Sequence, residues 1–258
     1  MFVIGERING MYKLVKQAII DKDEKFIQNL AIEQVNAGAD ALDVSVGPAR
    51  GDNKEIMEWL VRTVQSVTDA PLAIDSPHVE IIKAGVNACN GETIINSIKK
   101  SDEHIQELIP FAAEKNCSLI CLLMTDKGIP TDWNGKLEIA AELFTFAMEA
   151  GINQEKLYFD PILLPIANVQ KDVAETFELM DQLKLLTSPA PHMIVGLSNL
   201  SQKARYKSLL NRTYCTMAMS HGLDAAILDP FDEKLMKAVK TASILLNKEL
   251  YAKSYLKS

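Results

Sequence analysis

The residues of this chain best suited to chemistry fall at regular intervals, each close behind a short apolar run. In order they are Glu6, Arg7 and Asn9; Asp43 and Ser45; Asp75; Asn96; Thr125 and Asp126; Asp160; Ser198 and Asn199; and Asp229. Carboxylates and carboxamides dominate, and cations are few. Asp75 and Asp160 each close an apolar run (Leu-Ala-Ile-Asp, Leu-Tyr-Phe-Asp), and Pro77 and Pro161 stiffen the backbone just beyond them. The stretch Gly196-Leu-Ser-Asn-Leu-Ser-Gln202 adds bare backbone beside four neutral hydrogen-bonding side chains. None of the four is a nucleophile with a base beside it, so the stretch suits holding a polar heterocycle and stabilising charge on it. Ser and Asn are also the commonest helix N-caps, and alone the stretch reads as a capped strand-to-helix turn.

Acids and amides gathered in one place call for a ligand rich in N–H donors. A pterin meets that requirement, because its 2-amino and ring N–H edge presents parallel donors that a carboxylate accepts in pairs. The same inventory disfavours other chemistries. A phosphate site would need a glycine-rich helix start or an Arg/Lys cluster near the last strands, and neither is there. A Schiff-base aldolase would need a lysine inside a strand, and a serine hydrolase its G-x-S-x-G elbow. Cys89, Cys117, Cys121 and Cys215 lack any zinc spacing, and the four histidines (His78, His104, His192, His221) are scattered, so no protein metal site is expected.

The elements that must position these residues are short and repeated. Eight β-type runs can be picked out: 2–4, 41–46, 72–74, 93–95, 118–124, 157–159, 193–195 and 225–228. They are continuously apolar, as strands buried on both faces are. Helical patterns lie between them. In Asn53–Val67 the apolar positions are Ile56, Trp59, Leu60, Val64 and Val67; in Asp232–Leu246, Asp232 caps and Leu235, Val239, Ala242 and Leu246 form the stripe. The joints repeat too, with Gly38, Gly151 and Gly222 each placed to cap a helix in the left-handed conformation before the next strand. Strand–helix alternation repeated eight times without a linker predicts α/β architecture, a single (β/α)8 TIM barrel over residues 1–258, with the site at the carboxyl ends of the strands. An open doubly wound sheet is the alternative, and the chain lacks its glycine-rich dinucleotide loop.

Composition narrows the setting. The chain has 258 residues, 48% of them hydrophobic, and a net charge of −7 with no basic block, which argues against a nucleic-acid partner. No apolar run reaches the roughly 18 residues of a membrane span. The start, Met1-Phe-Val-Ile-Gly-Glu-Arg7, does not read as a signal peptide, and the cysteines read as reduced thiols, so a cytoplasmic protein is expected.

Taken together, Ile4-Gly-Glu-Arg-Ile-Asn9, Leu42-Asp-Val-Ser-Val-Gly-Pro48, Ala73-Ile-Asp-Ser76, Ile95-Asn-Ser97, Phe159-Asp-Pro161, Gly196-Leu-Ser-Asn199 and Asn211-Arg212-Thr213 resemble the methyltetrahydrofolate:corrinoid protein methyltransferases. These belong to the pterin-binding barrel superfamily, with the folate domain of cobalamin-dependent methionine synthase and dihydropteroate synthase as relatives. The resemblance runs over nearly the whole chain. It implies transfer of the N5-methyl of 5-methyltetrahydrofolate to Co(I) of a corrinoid (cobalamin) held by a separate protein, either a corrinoid/iron–sulfur protein or a small corrinoid-binding protein. No cofactor is then bound tightly by this chain, and a homodimer is expected. The resemblance makes Asp75, Asn96 and Asp160 pterin ligands and places Asn199, the catalytic residue, near N5. Gly196 and Ser198 join them, Gln202 and Lys207 lie toward the aminobenzoyl-glutamate tail, and Glu6, Asn9 and Asp43 support from the strand ends. Two positions depart from the family pattern: Ser45 stands where Asn is expected and Lys207 where Arg is expected, exchanging a forked contact for a point charge. Asp102-Glu-His104-Ile-Gln-Glu107 is a near match to a corrinoid-binding loop but lacks its glycine and sits in a helical pattern. Two alternatives stand beside this reading, a dihydropteroate synthase-like enzyme and a non-catalytic folate-binding or corrinoid-protein docking subunit. The first would need cations for its pyrophosphate leaving group.

Overall fold

A computed structural model describes residues 1–47 and 53–251. Pro48 of the second motif, and residues 252–258 of the expected 1–258 span, lie outside the described residues. Eight parallel strands close into a barrel in chain order: β1 (Phe2–Asn9), β2 (Ala41–Ser45), β3 (Leu72–Asp75), β4 (Thr93–Lys100), β5 (Ser118–Thr125), β6 (Leu157–Asp160), β7 (His192–Gly196) and β8 (Ala225–Leu228), with β8 pairing back onto β1. The α-helices among the described residues are α1 (Lys13–Asp21), α2 (Glu24–Asn36), α3 (Asn53–Gln65), α4 (Val79–Ala88), α5 (Ile109–Lys115), α6 (Trp133–Glu149), α7 (Gln170–Leu183), α8 (Lys207–Ser220) and α9 (Glu233–Leu245). The expected (β/α)8 barrel is the fold.

Local chemistry explains where the helices begin and end. Asp23, Asp132 and Asp232 each accept a hydrogen bond from the backbone N–H three residues on, closing the first turns of α2, α6 and α9. Gly38, Gly151 and Gly222 have φ of 101°, 83° and 104°, the left-handed caps expected of them. Leu246 is a correction: α9 ends at Leu245, and Leu246 is exposed rather than part of the buried stripe. The stretch after Asp102 is barrel shell. His104–Leu108 forms a π-helical turn, and buried His104 accepts the Lys99 N–H on Nδ1 at 3.1 Å.

Two apolar layers hold the barrel. The larger lies between strands and helices and includes Leu42, Leu60, Ile74, Ile82, Phe159 and Val195. The smaller fills the barrel interior with Ile4, Ala41, Ala73, Ile94, Ile120, Ile194 and Ala225, with Phe2, Tyr158 and Ile227 packed against them. Small alanines on β2, β3 and β8 face the bulkier residues of the other strands, so the interior is plugged rather than open.

Candidate active site

Because successive side chains on a strand alternate between faces, the residue two beyond each interior plug residue also points inward. Applied to all eight strands, this gives Glu6, Asp43, Asp75, Asn96, Leu122, Asp160, Gly196 and Ile227. All eight line one cavity of about 760 Å³ at the carboxyl ends of the strands. The end of β1 adds Arg7 and Asn9, the turn after β7 adds Ser198, Asn199 and Gln202, and the start of α8 adds Lys207. Glu6, Asn9, Asp43, Asp75, Asn96, Asp160, Gly196, Ser198, Asn199, Gln202 and Lys207, the residues expected to bind or support the folate, are therefore brought to one mouth. Two strand-end expectations fail. Thr125 and Asp126 do not line the cavity; β5 runs three residues past Leu122, and Asp126 pairs with Lys99 at 2.6 Å. Ser45 lies beside a smaller neighbouring cavity, where its hydroxyl hydrogen-bonds Asp75.

Across β2, β3 and β4 the site is an acid pair with an amide. Asn96 Nδ2 donates to Asp43 Oδ1 at 2.8 Å. Burial pushes the Asp43 carboxyl well above the usual carboxylate range, the Asp75 charge pushes it the same way, and the Asn96 bond offsets part of this. Burial likewise raises Asp75 against the opposing Ser45 bond.

Across β6 and β7 the acid is Asp160, only 7% exposed, with burial raising its pKa to about 6. The Ile162 N–H (2.7 Å to Oδ1), Lys136 and the Gly196 N–H pull it the other way. The chain then turns through Leu197–Asn199, a short 3-10 helix. A Cβ at Gly196 would sit 2.9 Å from Asn199 Nδ2, so glycine here is what lets the Asn199 amide fold down over the strand end. Gln202 Nε2 donates to Asn199 Oδ1 at 3.1 Å and sets the amide's orientation.

The β1 side is tied to this arc. Glu6 Oε1 accepts from Ser198 Oγ at 2.7 Å and from Tyr12 Oη at 3.1 Å, while burial raises its pKa. Arg7 does not offer a free cation to the cavity: it pairs with Asp229 at 3.0 Å and lies over the Tyr12 ring at 4.4 Å. Ser201 of the Gly196–Gln202 stretch also reaches the cavity, and Tyr12, Met11, Ser97, Ser208 and Asn211 do so without having been expected there. Asn211 follows Lys207 by one turn of α8, a helical spacing that could have found it.

The comparisons with known proteins agree with this geometry. Residues 13–229 match the family model described as pterin binding enzyme, and the chain belongs to that family. It is 29% identical over 260 residues to the methylcorrinoid:tetrahydrofolate methyltransferase of Eubacterium limosum, covering 100% of this chain and 96% of that one. It is 26% identical over 241 residues to a methionine synthase of Mycobacterium leprae, covering 88% of this chain but 20% of that protein. Among solved structures, a dihydropteroate synthase from Xanthomonas albilineans with 7,8-dihydropteroate superposes with a TM-score of 0.66 at 16% identity, covering 95% of this chain and 92% of that one. A Yersinia pestis enzyme of the same kind gives 0.65 at 16% identity over 95% and 94%. At that identity the structures speak for the fold alone.

Proposed function

We propose that the chain is a methyltransferase that moves a methyl group between N5 of a folate and the cobalt of a corrinoid presented by a separate protein, a corrinoid/iron–sulfur protein or a small corrinoid-binding one. The observation that carries this reading is the ring of strand-end side chains: acids and amides on one wall and, among the described residues, no unpaired strand-end cation; a relative whose name joins tetrahydrofolate to a corrinoid supports it. Asp75, Asn96 and Asp160 accept the N–H edge of the pterin, with Asp43 holding Asn96. Buried carboxyls that have lost water are matched to such donors, since each N–H replaces a lost hydration contact. Gly196 and Ser198 shape the wall, Glu6 and Asn9 brace it from β1, and Gln202 and Lys207 lie toward the tail.

In the direction from 5-methyltetrahydrofolate, Co(I) supplies an electron pair to the methyl carbon. The N5–carbon bond breaks with its pair returning to N5, and a methyl-Co(III) product forms. N5 leaves poorly as an anion, so it must gain a proton or a strong hydrogen bond as the bond breaks. Asn199 does not titrate near neutrality, but Gln202 holds its oxygen and leaves the amide N–H side to donate to N5 or to orient a water there. The nucleophile belongs to the corrinoid, which accounts for a site without a protein nucleophile and base. The reverse direction, methylcorrinoid to tetrahydrofolate, uses the same contacts.

The test is spectral. The purified chain, mixed with 5-methyltetrahydrofolate and Co(I) cobalamin, should convert the Co(I) spectrum to that of methyl-Co(III); methylcobalamin with tetrahydrofolate should run it backward. Folate binding by calorimetry without transfer in either direction would leave a non-catalytic folate-binding or docking subunit. A homodimer would pair through α8 and the end of α9, where Met217, Leu245 and, just beyond the helix, Leu246 are 48%, 81% and 37% exposed. Light scattering on the eluted protein reads that mass directly.

A further inference from the structure

Asp160 is aimed by an awkward piece of backbone. Ile162, two residues on, has φ of 64°, a left-handed conformation that β-branched residues rarely adopt, and it persists only where its surroundings over-determine it. One restraint is internal: the Ile162 N–H donates to Asp160 Oδ1 at 2.7 Å. The other comes from the helical shell. Lys136, in the second turn of α6, donates from Nζ to the Pro161 carbonyl at 2.8 Å, between the carboxylate and the strained residue. Lys136 is half-buried beside a separate cavity of about 200 Å³, lined among others by Trp133, Ile162, Asp172, Glu175 and Leu179. Asp172 and Glu175 of α7 and Asp160 itself all face its charge, yet it spends a hydrogen bond on a neutral carbonyl.

We propose that Lys136 is a positioning residue for Asp160, pinning the Asp160-Pro161-Ile162 turn from outside the barrel so that the carboxylate keeps its aim into the cavity. The inference rests on the folate reading for its function, but its structural part does not. Lys136 also sets a positive charge behind an otherwise desolvated acid. The other groups around Asp160 are the Ile162 and Gly196 N–H donors and the Tyr214 phenol on α8, none of them cationic. Without Lys136, Asp160 keeps its burial and loses its nearest opposing charge.

Three substitutions in the full chain separate the bond from the charge. Lys136→Arg keeps both, Lys136→Gln keeps a donor without charge, and Lys136→Met keeps neither. Carbon NMR of aspartate-labelled protein, with the Asp160 signal assigned by Asp160→Asn, reads its titration without any ligand. Calorimetry at pH 8 reads folate affinity. The Arg variant should match the wild type. The Gln variant should raise the Asp160 midpoint by about one pH unit and leave affinity at pH 8 within about threefold. The Met variant should raise the midpoint and also weaken folate about tenfold. An unmoved midpoint in both the Gln and Met variants, or undiminished affinity in Met, overturns the proposal. A wild-type chain that binds no folate would sink the functional reading instead, while the NMR result would still decide the role of Lys136.

Discussion

At the amino-terminal end of the barrel, Asp40 and Asp224 are sewn into the backbone; at the other end, Asp43, Asp75 and Asp160 face a cavity. Asp40 Oδ2 accepts the Val3 N–H at 2.8 Å, and its own N–H returns to the Val3 carbonyl at 2.8 Å. Asp224 does the same with Met193, at 3.3 and 3.1 Å, and adds His192 at 3.4 Å and Lys248 at 3.6 Å. Each bridges the entries of two neighbouring strands and has its charge met by donors. The acids at the mouth have the reverse balance, since burial is the largest influence on all three and their donors compensate only in part. Only Ala41 and Leu42 of β2 separate Asp40 from Asp43. The same side chain braces the fold at one end and is left wanting donors at the other, and that unmet demand is the capacity to bind.

Substitutions at the two ends should therefore part company. The largest effect is expected at Asn199, where Asn199→Ala should lower kcat by roughly 10²–10³, as removal of one preorganised charge-stabilising group does; transfer at the wild-type rate would remove Asn199 from the chemistry. Next is Asp160→Asn, which should weaken folate about 10- to 100-fold by taking away a charged acceptor, an effect that calorimetry measures. The same change should stabilise the fold at pH 8. The native pKa of Asp160, about 6, lies above the ordinary 3.8. Its stabilising contribution is thus complete below the ordinary value and is lost as pH rises through about 6. At pH 8 the ionised form costs roughly 2–3 kcal/mol. Asparagine removes that cost but has one oxygen where the carboxylate had two to meet the Ile162 and Gly196 N–H donors, leaving a net gain of about 1 kcal/mol, or about 2–4 °C in Tm. The gain should vanish near pH 4, and a lower Tm than wild type at pH 8 would show the acid to be structural after all. Smallest is Asp40→Ala, which should cost about 1 kcal/mol of stability by freeing the Val3 N–H and leave folate affinity within about twofold. A large loss of affinity there would erase the contrast between the two ends.

The barrel was legible in the sequence because buried parallel strands write themselves as apolar runs, and the polar residue ending each run marks the mouth. What the runs missed was length. β1 continues through Glu6 to Asn9 and β4 through Asn96 to Lys100, because backbone pairing with the neighbouring strand carries on after the apolar pattern stops. For β5 the extension misled in the other direction, making Thr125 look like the strand-end residue when Leu122 is the one in the ring. The Asn96–Asp43 bond joins residues 53 apart, and Tyr12 reaches Glu6 from the loop after β1. No local pattern encodes such contacts. The left-handed Ile162 and the Lys136 bond to the Pro161 carbonyl beside it were equally silent, since a β-branched residue is the last place to look for that conformation.

The packed interior beneath the site has one more implication. With Ile4, Ile94, Ile120, Tyr158 and Ile194 crowding the axis, the mouth is a blind cup and not a passage. A small molecule seated on its floor must leave by the way it came. A protein broad enough to span the rim would close that exit for as long as it stayed, so traffic is last in, first out: the deep guest arrives before the lid and departs after it.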